Sequence, residues 1–213
     1  MKQVLNVTNG DVFNHVLLSE IGGEAVPFRE VMMDGETVME IYSDEFLRLR
    51  ASVLNVSAEE YRQSMAVYDA LQANDYAELV LWFGKDTFCQ MNLLTLLAYL
   101  EQCAYRGRVT LNYIDDETFR RLEENIEVHL GGYGEIYEAI LIHREQPKDI
   151  KVLDSDAIAL YFDYRSDDGA LARMVRENRD KPYVALMGLL LCSSKAYGLS
   201  DVQAGKLIEK YRA

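Results

Sequence analysis

The feature that most constrains the fold of this chain is a continuous apolar run, Leu79-Val80-Leu81-Trp82-Phe83. Such a run predicts a strand that is buried on both faces, which is typical of the centre of a parallel sheet. The elbow Gly84-Lys85-Asp86-Thr87 leads from this strand into a long apolar helix, predicted from Phe88 to about Tyr105. Two shorter stretches, Val4 to Asp11 and Ala25 to Glu30, also begin as apolar strands and end on polar residues.

The order of the predicted elements is strand, helix, strand, helices, strand, helix, strand, with the last strand at Arg108 to Ile114. This order predicts an α/β protein with a small parallel sheet, of the Rossmann-like or flavodoxin-like type, and flanking helices. The run Gly131-Gly132-Tyr133-Gly134 marks a boundary, because everything after it has helical spacing. We therefore predict an α/β sheet domain over residues 1–130 and an all-helical C-terminal subdomain packed on it over residues 131–213.

The net charge of −13 and the lack of long apolar runs limit the classes of partner. An acidic surface repels phosphate backbones, so we expect no nucleic-acid partner. No stretch approaches eighteen uncharged apolar residues, and Met1 to Val4 lack the pattern of a signal peptide. We therefore expect no membrane partner and a cytoplasmic location. The cysteines Cys89, Cys103 and Cys192 form no Cys-x-x-Cys pair, which predicts reduced thiols rather than disulfides or a zinc knuckle.

The three polar elbows predict one common site, because ligands of open α/β sheets bind beyond the carboxyl ends of the strands. The expected ligand is a small anionic molecule, a nucleotide or a phosphometabolite. The ligand-binding candidates are Asn9, Gly10, Arg29, Gln90 and Asn92. The catalytic candidates are the carboxylates Asp11, Glu30 and Asp86. These would act as acid or base, or hold a divalent ion such as Mg²⁺, in a hydrolase or transferase. The sequence leaves open whether a reaction takes place.

Several of these residues have a structural interpretation as well. Asp11 is placed to cap a helix, and Arg29 to pair with Asp11 or Asp86 and so lock the elbows together. Cys89 falls in the first turn of a helix, where a thiol pKa can be lowered, yet inert burial is the commoner state of such a cysteine. The glycine run at 131–134 predicts either a backbone nest for an anion or a connection between the two parts.

A second hypothesis for the function follows from these structural interpretations. In it the chain is a non-enzymatic protein-interaction or regulatory module. The elbows brace the sheet, and the helical part docks a protein partner. An exposed apolar patch on the predicted helix from Tyr183 to Leu191 would favour this hypothesis, because such patches mark interaction surfaces. A deep polar cleft at the strand ends would favour ligand binding instead.

The elbows also resemble a known family in order and spacing over residues 4–100. They read Val7-Thr8-Asn9-Gly10-Asp11, then Pro27-Phe28-Arg29-Glu30, then Leu81-Trp82-Phe83 with Asp86, Phe88 and Gln90. This is similar to a bacterial family known only as domain of unknown function 1835, whose members read Val-Asn-Gly-Asp, Trp-Arg-Glu or Trp-Arg-Asp, and Leu-Trp-Phe-x-x-Asp-x-x-x-Gln. Phe28 stands where the family usually has Trp, and Glu36 where it has Pro. The resemblance implies that six residues are signature positions of the family: Asn9, Asp11, Arg29, Glu30, Asp86 and Gln90. It implies no particular activity for the chain.

Overall fold

The computed structural model describes residues 2–21, 23–73, 75–115 and 117–212. These fall into two compact units, residues 2–85 with 89–153 and residues 86–88 with 154–212. The predicted division after residue 130 stays a prediction, since compactness alone does not show which part folds independently. In the structure, residues 131–153 belong to the first unit.

The first unit is built on a five-stranded sheet in the order β2-β1-β3-β4-β5. The strands are β1 Lys2–Asn9, β2 Ala25–Phe28, β3 Tyr76–Phe83, β4 Arg108–Ile114 and β5 Arg121–Glu127. The first four run parallel to their neighbours, and β5 pairs with β4 in the antiparallel direction. The inner strands β1 and β3 supply completely buried side chains such as Leu5, Val7, Leu79 and Leu81. The predicted α/β class, with a mainly parallel sheet, is confirmed.

The strand β5 is not predicted from the sequence, and its position explains why. It lies at an edge of the sheet, and six of its seven side chains are exposed, so it carries no apolar alternation. Its pairing with β4 is irregular between Leu111 and Tyr113. At this irregularity Asn125 has a positive φ of 57°, and its backbone N–H donates to the Asn112 side chain at 2.9 Å. β5 is thus held by hydrogen bonds rather than by an apolar face.

The long helix predicted from Phe88 to about Tyr105 is present as α5, Thr87–Gln102, and the described residues of the first unit form five further helices. These are α1 Asp11–Ile21, α2 Asp44–Leu54, α3 Ala58–Ser64, α4 Val67–Gln72 and α6 Tyr133–Tyr137, which continues as a π-helix over Glu138–His143. Ser43 caps α2, and Ser57 forms a capping box with Glu60 at the start of α3, a pair whose spacing of three in the sequence is typical of a helix start. All side chains of α5 from Cys89 to Leu100 are buried, as its apolar residues on every side predict.

The second unit is helical. Its elements are α7 Ser155–Arg165, α8 Ala170–Glu177, α9 Tyr183–Ser193, a 3₁₀-helix Lys195–Tyr197 and α10 Asp201–Tyr211. The helical spacing predicted after residues 131–134 is confirmed in these elements, and Ser200 with Gln203 forms a capping box before α10. Leu186 and Leu190 of α9 are completely buried in this unit. No helix in the described part of the chain is both long and apolar enough to cross a bilayer.

Candidate functional site

The elbows after β1 and β2 meet at Asn92, a completely buried amide on α5. Its Oδ1 accepts a hydrogen bond from the Met32 backbone N–H at 3.0 Å. Its Nδ2 donates to Asn9 Oδ1 at 2.9 Å and to the Glu30 carbonyl oxygen at 2.5 Å. Both N–H groups of this side chain therefore have acceptors inside the protein. Asn92 joins two of the predicted elbows, and it does so as an internal cross-link.

Asn9, at the end of β1, is only partly buried and contacts a thiol. Its Nδ2 donates to Cys89 Sγ at 2.8 Å, while its Oδ1 accepts from Asn92. Cys89 is 3% exposed. A reactive cysteine needs access to its substrate, so the geometry favours the interpretation of Cys89 as a buried structural thiol.

Gln90 is also completely buried on α5. Its Nε2 donates to the Gly84 carbonyl oxygen at 2.6 Å, and its Oε1 accepts from the Tyr113 hydroxyl at 3.4 Å. Asp86, four residues earlier, belongs to the second compact unit. There its carboxylate lies beside Gly198, which has a φ of 69° and leaves no room for a Cβ. A shared ligand-binding role of Asp86 and Gln90 remains a prediction.

Asp11 and Arg29 form a bidentate ion pair, one of the alternatives that the sequence left open. Arg29 Nε lies 3.0 and 2.9 Å from the two carboxylate oxygens, and Nη2 lies 2.7 Å from Oδ1. The remaining Nη1 donates to the Ser64 carbonyl oxygen at 2.9 Å. Hydrogen bonding to Arg29 holds the pKa of Asp11 below its usual value, and the same bond raises the pKa of Arg29. The side chains of Arg29 and Asp11 remain 41% and 49% exposed.

Gly10 connects β1 to α1 with a positive φ of 84°, a conformation that favours glycine. Its N–H donates to the Phe28 carbonyl oxygen at 3.0 Å, and its own carbonyl accepts from the Thr8 hydroxyl at 3.1 Å. A Cβ built on Gly10 would meet nothing within 4 Å. Beside the Asp11–Arg29 pair, the N–H and C=O groups of Gly10 are therefore hydrogen-bonded within the protein, while the space at its Cβ position is open.

Glu30 is buried and pairs with Arg50 of α2, a residue that the sequence did not single out. Neither side chain is exposed, and Arg50 Nε and Nη2 lie 3.1 to 3.3 Å from the Glu30 carboxylate. The Tyr61 hydroxyl donates to Glu30 Oε2. Burial lowers the pKa of Arg50, but the charge of Glu30 and its hydrogen bonds to Arg50, with smaller contributions from Tyr61 and Tyr137, together outweigh burial, and the net shift is upward. Burial, followed by the Glu30 charge, raises the pKa of Tyr61 far above its usual value.

Arg50 also fixes the loop that follows β2. Its Nη1 donates to the carbonyl oxygens of Asp34 at 2.7 Å and Glu36 at 3.1 Å, and its Nη2 donates to that of Val31 at 2.8 Å. The sequence does hold a signal for this role, because Arg50 follows Phe46 and Leu47 at helical spacing and so falls on the buried face of α2. Glu30, a catalytic candidate, thus serves in this structure as the buried counter-charge of Arg50.

The glycine run at 131–134 does form a nest for an anion, and the anion is the protein's own Glu101. One Glu101 oxygen accepts from the Gly132 N–H at 2.6 Å. The other accepts from the N–H groups of Tyr133 at 2.7 Å and Gly134 at 3.1 Å. The carboxylate accepts hydrogen bonds from the N–H groups at the start of α6, which have no partner within the helix, as a capping side chain does.

The predicted carboxylates are not grouped as metal ligands usually are. In the described part of the chain, no three His, Cys, Asp or Glu side chains are placed to hold a metal ion together. Comparison with known proteins adds no further information: no family model, no curated protein and no solved structure matches the chain. The resemblance to the bacterial family in the elbows therefore stays a prediction.

Proposed function

We propose that this chain is a protein-interaction module that docks a partner through the exposed side of α9, and that the polar elbows brace its sheet. The observation that carries the proposal is the exposure of an entirely uncharged helix. The eleven residues Tyr183–Ser193 include no charged side chain, yet only Leu186 and Leu190 are buried. Val184 is 81% exposed and Tyr183 is 43% exposed.

We call the exposed side of this helix the α9 face. It consists of the exposed residues Tyr183, Val184, Ala185, Gly188 and Cys192. Single exposed apolar residues are common on proteins, but a contiguous apolar patch on a helix is typical of an interaction surface. Complete burial of one valine side chain contributes about 1.5–3 kcal/mol, so a partner that covers Val184 gains a substantial part of its binding free energy there.

The charge near α9 indicates what kind of partner fits. Residues 170–212 hold eight Lys and Arg against four Asp and Glu, a balance of +4 within a chain of net charge −13. Arg179 and Lys181 directly precede α9, and Arg212 donates to their carbonyl oxygens at 3.1 and 2.8 Å. Arg212 therefore lies against the segment Arg179-Asp180-Lys181 before the helix, and these four residues together carry a balance of +2. The complementary partner is an amphipathic helix whose apolar side chains are bordered by carboxylates.

The hydrogen bonds at the elbows support the bracing role. Arg29 uses Nε, Nη1 and Nη2 within the protein, and Gln90 and Asn92 are completely buried and hydrogen-bonded. Buried amides whose groups are all satisfied rigidify a fold and specify its packing. The burial and the hydrogen bonds of these residues are therefore explained without a ligand.

The test compares Val184→Glu with Val12→Glu, a matched change at a 70% exposed valine of α1. The probe is a labelled 18-residue peptide with leucines on one helical face and glutamates elsewhere, followed by fluorescence anisotropy. We expect Val184→Glu to weaken binding at least tenfold, because it removes apolar contact and sets like charges together. Val12→Glu should bind as the unchanged protein does. Equal losses in both variants, or no binding at all, would contradict the proposal.

A second candidate function is the binding of a small anionic ligand, a nucleotide or phosphometabolite, with hydrolase or transferase activity at the strand ends. The observation in its favour is that the Asp11–Arg29 pair is half-exposed beside Gly10, where the space that a Cβ would occupy is empty. The measurement is a thermal-shift panel of nucleotides, sugar phosphates and inorganic anions, with and without Mg²⁺. A ligand at a hundred times its Kd adds about 2.7 kcal/mol of stability, and Arg29→Ala should abolish that shift. A flat panel would rule out this candidate.

A further inference from the structure

The sheet of the first unit carries a cleft of about 400 Å³ on one face. Its floor is formed by side chains of β1, β3 and β4, and one wall is formed by β5. The residues that matter for its chemistry are Asn6, Val80, Trp82, Asn112, Arg121 and Glu124. This volume is in the range of small-molecule sites. The cleft and the α9 face share no residues, so binding in the cleft does not depend on the proposed docking role.

Trp82 gives the cleft a rigid, flat surface. The indole is 4% exposed, and its Nε1 donates to Asn6 Oδ1 at 2.9 Å. Asn6 is fixed in turn, because its Nδ2 donates to the Glu24 carbonyl oxygen at 3.2 Å. The Phe13 ring packs against the indole with 5.9 Å between centroids, and the Arg121 guanidinium stands 5.2 Å above its ring. An aromatic surface that is held in place loses little entropy when a ring binds to it.

Asn112 gives the cleft a free hydrogen-bond donor. Its side chain is 2% exposed, and its Oδ1 accepts from the Asn125 backbone N–H at 2.9 Å. Among the residues that the structure describes, none accepts a hydrogen bond from its Nδ2. In the cleft this Nδ2 is accessible to an acceptor from outside the chain. A water molecule or the oxygen of a ligand can serve as that acceptor.

Among the described residues, the cleft is lined by one cation, Arg121, and by two carboxylates, Glu24 and Glu124. Arg121 Nη1 donates to Glu124 Oε2 at 3.0 Å, so the cation of this wall is already paired. Among the described residues that line the cleft, no cation is therefore left over for a phosphate group. The side chains of Arg121 and Glu124 are about half-exposed, which leaves them able to move as a ligand enters.

We propose that this cleft binds a small uncharged planar ring that carries a carbonyl or ring-nitrogen acceptor, of about the size of one nucleobase. The acceptor receives a hydrogen bond from Asn112 Nδ2, and the ring takes the place of the Arg121 guanidinium above the indole of Trp82, which is 4% exposed with that guanidinium in place. A polar group of this kind fixes the orientation of the ligand, while the aromatic contact and Val80 supply apolar surface.

The chain contains one tryptophan, so a ¹H–¹⁵N spectrum of the 213-residue chain shows a single indole N–H cross-peak, that of Trp82. The probes are nicotinamide, benzamide and uracil, which carry the acceptor, and toluene, which lacks it. We expect saturable shifts of the Trp82 indole and Asn112 side-chain peaks with at least one acceptor-bearing probe. Toluene should bind at least tenfold more weakly.

A variant that fills the cleft distinguishes binding in the cleft from non-specific binding. Val80→Phe places a ring on the floor of the cleft and should abolish the shifts, whereas Val12→Phe, at an exposed position on α1, should leave them unchanged. The dispersion of the spectrum shows for each variant that the fold is retained. The inference is overturned if none of the three acceptor-bearing probes binds, if toluene binds as tightly, or if folded Val80→Phe binds as the unchanged protein does.

Discussion

Replacement of Arg50 by methionine should destabilise the first unit severely. Methionine keeps most of the aliphatic length of Arg50 but leaves the Glu30 carboxylate buried without its counter-charge. Loss of one partner from a buried ion pair costs about 3–5 kcal/mol. The carbonyl oxygens of Val31, Asp34 and Glu36 also lose their donor, which pushes the cost to the upper end of that range. Because domains are commonly stable by only about 5–15 kcal/mol, such a loss is a large fraction of the total.

The assay for this prediction is urea unfolding followed by the fluorescence of Trp82, which lies in the same unit as Arg50. The free energy of unfolding is obtained by linear extrapolation to water. The double variant Arg50→Met with Glu30→Gln removes both charges and should recover part of the loss, because no uncompensated charge stays buried. A loss below about 1 kcal/mol in Arg50→Met, or no recovery in the double variant, would refute the reasoning.

Three further predictions test single contacts. Asp11→Asn should cost at most about 1 kcal/mol at pH 7, because the pair with Arg29 is half-exposed. The folded state lowers the pKa of Asp11, so this contribution is complete above the unfolded-state pKa of about 3.9 and is lost as the pH falls through the lower folded pKa. The variant and the unchanged protein should therefore converge in acid unfolding curves, and a constant difference would contradict this. Asn92→Leu should cost about 1–3 kcal/mol in urea, because buried partners lose their hydrogen bonds; a neutral result would exclude its role as a cross-link. Ser200→Ala should cost about 1 kcal/mol by loss of the α10 cap, seen as faster amide exchange in that helix, and unchanged exchange would exclude it.

The fold was predictable where local sequence and tertiary environment agree. The run of apolar residues in β3 needs burial on both faces, and the capping box of Ser57 and Glu60 fixes a helix start from a few neighbouring residues. β5 was not predictable in this way. Its side chains are exposed, so its strand conformation depends on pairing with β4 and on the Asn112 side chain. Neither contact leaves a local pattern in the sequence of β5.

The site was predictable only in part, because the partners of its polar residues lie far away in sequence. Asn9 and Asn92 were both singled out, and the structure brings them into contact. Arg50 was missed, since an arginine in a helix is ordinarily assigned to the solvent-exposed side. The nest at residues 131–134 was predictable as an anion-binding shape, but Glu101 as the anion follows only from the tertiary structure.

The exposure of the polar pairs limits which of them an anionic ligand could use. Displacement of Asp11 from Arg29 breaks a half-exposed ion pair, which contributes at most about 1 kcal/mol to the free energy of unfolding. Displacement of Glu30 from Arg50 breaks a buried pair, at about 3–5 kcal/mol. A ligand that binds at the elbows must therefore exchange with Asp11 and leave the Glu30–Arg50 pair intact. It follows that Glu30→Gln should lower the melting temperature of the protein but keep the shift that any hit in the panel produces, whereas Arg29→Ala should remove that shift.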